Sequence, residues 1–79
     1  MRAIATPSQI GTLLASRRKH LQWSQAELAA KVGLSQNRLS VLEKDSATLT
    51  AKQLLALLNA LGLELSIAER SKSASKVEW

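Results

Sequence analysis

The chain has 79 residues, enough for one domain but not for a large core. A chain of this length buries only about 60% of its unfolded surface, so a partner subunit would add materially to its stability. Its 11 Lys and Arg against 6 Asp and Glu leave a formal charge of +5 and a pI near 10.3, which points to a polyanionic partner.

Membrane lipid is the poorer candidate for that partner. The longest apolar run, Leu54 to Leu58, falls far short of the ~20 residues of a transmembrane helix, and the N-terminus lacks the apolar core of a signal peptide. A cytoplasmic, nucleoid-associated protein with no membrane partner is expected. The absence of cysteine leaves no disulfide, zinc ribbon or thiol nucleophile to consider.

In chain order, Thr6 reads as the N-cap of a first helix, with Pro7 at its first position and Gln9 completing a capping box. Ile10, Leu13, Leu14, Arg17 and Leu21 recur at helical spacing and predict its inward stripe. Ser24 with Glu27 forms a second capping box flanked by Trp23 and Leu28, the positions of a hydrophobic staple. Gly33 can adopt the left-handed conformation that ends this helix after Val32. Ser35 then caps a third helix. The gap of about three residues is the spacing of a helix-turn-helix, whose second helix lies in the major groove.

Leu49, Thr50, Gln53 and Leu54 repeat the cap and staple for a last helix that runs to Leu61 and stops at Gly62. Leu54, Leu57, Leu58 and Leu61 are its core candidates. From Leu63 to Glu69 the period changes to two, with Leu63, Leu65 and Ile67 alternating with Glu64, Ser66 and Ala68, as in a half-buried strand. A strand needs a ladder partner, and the sequence holds no second strand pattern. Two copies pairing antiparallel across a twofold axis would supply it, making Leu63, Leu65 and Ile67 dimerisation residues. Arg70 to Trp79 is a polar, charged tail expected to stay flexible. The expected organisation is a domain over 1–62, a dimerising strand over 63–69 and a tail over 70–79.

The expected fold is all-α, a compact helical bundle with one C-terminal strand completed across a dimer. Gln25, Ala29, Gly33, Leu34, Leu39 and Glu43 stand where Cro/CI-type (XRE) DNA-binding domains place the first residue of helix 2, a small packing residue, the turn glycine, two core aliphatics and a helix-end acid. The chain resembles that family from about Ile10 to Leu61. In a helix-turn-helix the first residues of the second helix face base edges, which selects Gln36, Asn37 and Ser40, with Ser35 at the groove edge. Gln and Asn can bond adenine N6 and N7 together, and Ser can bond either kind of base. The resemblance places base contacts at the same four residues.

Gln25, at a helix N-terminus beside the backbone, is expected to hold a phosphate, and Arg38, Lys44, Arg17 and Lys19 are further phosphate candidates. Arg18 has a different role. The resemblance implies that it pairs with Glu43 as a structural ion pair tying helix 1 to the recognition helix.

An enzyme is not expected. The one histidine, His20, sits in the basic run RRKH with no cysteine, tyrosine or nearby aspartate, and the chain has no Gly-rich phosphate loop; no metal or cofactor is expected. The compact domain followed by Leu61 to Ser66, then a short tail ending in Glu78 and Trp79, is similar to the HipB-type antitoxins that partner HipA-type kinase toxins. That resemblance implies a homodimer closed by a shared two-stranded sheet, repression of its own operon at a pseudo-palindromic operator, and a kinase toxin as protein partner. Trp79 is the candidate toxin contact, because Trp is enriched among interface hot spots. A stand-alone Cro/CI-type regulator without a toxin, and a helix-turn-helix module used only for protein interaction, stay open as alternatives.

Overall fold

Each helix opens on a hydroxyl side chain. Thr6, Ser24, Ser35 and Thr50 are extended N-caps, and their oxygens accept from the backbone N–H groups of Gln9, Glu27, Arg38 and Gln53. At Thr6, Ser24 and Thr50 the residue three positions on bonds back to the cap, closing a capping box. The computed structural model describes residues 4–69, and the helices are α1 (Pro7–His20), α2 (Gln25–Val32), α3 (Gln36–Lys44) and α4 (Ala51–Ala60). The chain is all-α over these residues, and no helix among them is long and apolar enough to cross a membrane. The expectation for the tail and Trp79 lies outside the described residues.

The breaks are local too. Gly33 and Gly62 take left-handed conformations, both at φ 72, and end α2 and α4. The turn after α1 places Gln22 at φ 63, a conformation the sequence does not announce, since only glycine adopts it without steric cost. It is held by the N–H groups of Gln22 and Trp23 donating to the carbonyls of Lys19 and Arg18.

α3 lies between α1 and α2, and α2 also packs on α4. Their shared core is Leu14, Leu28, Ala29, Leu39, Leu42, Leu57, Leu58 and Leu61, with Trp23 and Leu49 packed against it. Burying one such leucine contributes about 1.5–3 kcal/mol, and the aliphatic stripes of the sequence account for nearly all of them. Leu13 is the exception. Expected on the inward stripe, it is 38% exposed, because α1 meets α3 through Gly11, Leu14 and Arg18, and Leu13 lies about 100° round the helix from Leu14.

Gly11 sets the spacing of that contact. A Cβ on it would stand 2.5 Å from the Glu43 carbonyl oxygen and 2.7 Å from that of Leu42, so α1 and α3 touch backbone to backbone. Beyond Gly62, Leu63 donates its N–H to the Leu58 carbonyl and packs on the core. The predicted strand from Leu63 to Glu69 carries no regular secondary structure, and among the described residues there is no second strand for it to pair with. Leu65 and Ile67 stand 56% and 90% exposed.

Candidate DNA interface

The orientation of α3 follows from three local features. Gly33 turns the chain, Leu34 donates its N–H to the Ala29 carbonyl and packs on the core, and Ser35 caps the new helix. Leu39 and Leu42 are fully buried, which fixes the rotation of α3 about its axis. The opposite face therefore carries Gln36, Asn37, Ser40, Val41 and Lys44. Ser35, Gln36, Asn37 and Lys44 are exposed and Ser40 is half-buried. All four candidate base-reading residues thus share the first turns of one helix.

The far end of α3 is anchored by a network of charged hydrogen bonds. Arg18 donates from Nε to Glu43 Oε2 at 2.7 Å and from Nη2 to Glu43 Oε1 at 3.0 Å, a bidentate pair whose side chains are only 10% and 6% exposed. Its Nη1 donates to the Trp23 carbonyl at 2.8 Å, and Gln25 Nε2 donates to Glu43 Oε1 at 3.0 Å. One carboxylate therefore ties α1 and α2 to α3, and through Arg18 the turn before α2 joins the same network.

Burial alone would push the Glu43 carboxyl up. The hydrogen bonds from Arg18 and Gln25, with the positive charges of Arg18 and Lys19, outweigh it and hold the group below the ordinary carboxylate range. Donating to Glu43 raises Arg18 in turn, against its own burial. Glu27 is also lowered, chiefly by the backbone N–H of Ser24 that it accepts in its capping box.

The phosphate candidates divide. Lys19 and Lys44 are exposed and lie toward the Glu43 end of α3. Arg17, Gln25 and Arg38 are instead engaged within the protein. Arg17 Nε donates to the Leu61 carbonyl at 2.9 Å, satisfying the C-terminal end of α4, where a helix leaves carbonyls without intrahelical partners. Arg38 donates from Nη1 and Nη2 to the hydroxyl and carbonyl of Thr48, both at 2.9 Å, and so braces the recognition helix against the loop before α4. These tertiary links join residues 10 and 44 positions apart, which no local spacing reveals. Among the described residues no group of three or more His, Cys, Asp or Glu could hold a metal ion.

The helix-turn-helix family profile matches residues 14–67. The chain belongs to that family. It is a helix-turn-helix DNA-binding regulator of the Cro/CI (XRE) type. Among solved structures it is similar to a chain of a HipA–HipB–O2–O3 complex, with 26% identity and a TM-score of 0.79 over 87% of this chain and 97% of that one. A HipB–O4 20-mer complex gives the same identity, coverage and TM-score. The wild-type restriction-modification controller protein C.Esp1396I is 26% identical with a TM-score of 0.69, covering 73% of this chain and 75% of that one. No curated protein sequence matches.

Proposed function

We propose that this helix-turn-helix protein is a sequence-specific repressor that binds a pseudo-palindromic operator as a homodimer, controls its own promoter and serves as the antitoxin of a HipA-type kinase. The observation that carries the DNA-reading part is the exposed run Ser35, Gln36 and Asn37 on the first turn of α3, held in place by the Arg18–Glu43 pair. Support for the kinase partner is the likeness to a HipA–HipB–O2–O3 complex over 97% of that chain. In this reading Ser35, Gln36, Asn37 and Ser40 contact bases, Lys44 and Lys19 contact phosphates, and Trp79 contacts the kinase. The likeness to a restriction-modification controller protein favours a second reading, a stand-alone regulator. A kinase-toxin reading frame beside the gene, and a stable complex of the two purified products, separates the two.

Base readout and phosphate contact should separate by mutation. Gln36→Ala or Asn37→Ala removes a bidentate contact worth about 1–3 kcal/mol and should relax preference at one base position, whereas Lys44→Ala should weaken all sequences alike. Titrations against a selected site and its scrambled form check this. Equal losses on both duplexes for Gln36→Ala would show that α3 does not read bases.

Dimerisation has its own test. Leu65 and Ile67 leave apolar surface exposed that a second copy would cover, and a twofold pair of recognition helices should meet half-sites about 34–36 Å apart. Ile67→Pro removes a ladder donor, so dimer affinity and operator binding should fall together while the helical circular dichroism stays. Sedimentation equilibrium unchanged at micromolar concentration refutes pairing through this segment.

A further inference from the structure

Val41 is the remaining member of the outward face of α3. It is 53% exposed and lies outside the core cluster and the aliphatics packed on it. The other large hydrophobics exposed among the described residues, Ile4, Leu13, Leu55, Leu65 and Ile67, lie on other segments. At about 100° per residue, Val41 sits only some 40° from Asn37 and 60° from Lys44, and about 6 Å further along the axis than Asn37. Along the axis it therefore falls between the candidate base reader Asn37 and the candidate phosphate contact Lys44, on the same side of the helix. A β-branched residue brings nothing to an exposed helical position, where its χ1 restriction disfavours helix. That same restriction leaves one dominant rotamer, so its two methyl groups are already fixed before any contact forms.

Within the major groove one apolar group distinguishes the base pairs, the C5-methyl of thymine, and small apolar side chains are its recognition partners. We propose that Val41 reads the C5-methyl group of a thymine, extending the recognition of each half-site past the bases contacted by Gln36 and Asn37. The inference rests on the DNA-binding reading above. It gives the stripe two chemistries: hydrogen-bonding amides at the start of the helix and an apolar contact one turn later.

The test uses the full chain. A preferred duplex is enriched from a randomised pool, and each thymine in it is replaced singly by uracil, which removes the methyl group alone. Wild-type protein should lose about three- to five-fold in affinity at one thymine per half-site, the value of one buried methyl, with little change at the others. At that position 5-methylcytosine should bind more tightly than cytosine, which identifies the methyl group and not the thymine carbonyl as the feature read. Val41→Ala should remove most of the uracil effect, and alanine, the better helix former, keeps the fold intact. A site with no uracil-sensitive thymine, or one equally sensitive in Val41→Ala, overturns the proposal and leaves DNA binding standing. Failure of any sequence to enrich overturns both.

Discussion

Gly11→Ala should destabilise the domain by about 3 kcal/mol or more, lowering the melting temperature by roughly 12–24 °C in a chain of this size. The sign is the informative part. At an exposed helical position the same change stabilises by about 0.8–1 kcal/mol, because alanine is the better helix former. Here the new Cβ would sit 2.5 Å and 2.7 Å from two carbonyl oxygens of α3, atoms of a helix that cannot swing aside as a side chain can. α1 must then retreat from α3, carrying Arg18 away from Glu43. Gly33→Ala provides the contrast. Gly33 has nothing within 4 Å of its Cβ position but a φ of 72, so its replacement should cost only the ~1–2 kcal/mol of a left-handed alanine. Thermal melts of the two variants followed at 222 nm decide the matter. A Gly11→Ala melt within a few degrees of wild type would mean that the two helices are not in backbone contact.

The contrast between these glycines also marks how far the sequence can be read. Gly33 and Gly62 are legible because their role is local: each follows an aliphatic helix and precedes a new pattern. The same holds for the four N-caps, whose partners lie within three residues. Gly11 carries no such mark. Its reason for being glycine is the backbone of Glu43, 32 positions away in the chain by number, and inside α1 it looks like an ordinary weak point of a helix. Arg17, Gln25 and Arg38 illustrate the same limit in the candidate site. A cation or helix-end amide near a recognition helix suggests a phosphate, yet the carbonyls of Leu61 and Thr48 and the carboxylate of Glu43 are acceptors that these side chains also reach, and no local spacing points to them. The Arg18–Glu43 pair is long-range as well. Only the family resemblance exposes it in the sequence, because charge pattern alone gives Arg18 no preference over Arg17 or Lys19. The alternation of Leu63, Leu65 and Ile67 is legible as a pattern, but among the described residues it pairs with nothing.

Glu43→Gln should cost about 3 kcal/mol of stability and weaken operator binding with it, although the replacement is almost isosteric. The amide keeps one acceptor oxygen for Gln25 and Arg18 Nη2, but its NH2 then faces the Arg18 Nε–H, so one hydrogen bond is lost and a guanidinium whose side chain is only 10% exposed keeps its charge without a counter-ion. Breaking a buried pair by removing one partner costs about 3–5 kcal/mol because the remaining charge is stranded. The pH dependence gives a second readout. Glu43 lies below the ordinary carboxylate range in the folded protein, so its contribution is fully present above the unfolded value of about 4.3 and is lost as pH falls through the lower, folded one. Wild-type stability should therefore drop below about pH 4.5, and Glu43→Gln should flatten that acid limb while starting from a lower plateau. Replacing both partners with apolar residues, as in Arg18→Met with Glu43→Leu, should recover part of the loss, since no charge is stranded. Recovery would stay incomplete because the Trp23 carbonyl loses its donor. Denaturant titrations from pH 3 to pH 7 on Glu43→Gln follow the acid limb, and the same titrations on Arg18→Met, Glu43→Leu and their double variant measure the coupling. Strictly additive costs, or an acid limb in Glu43→Gln as steep as wild type, would show that this carboxylate is not what locks the recognition helix to α1 and α2.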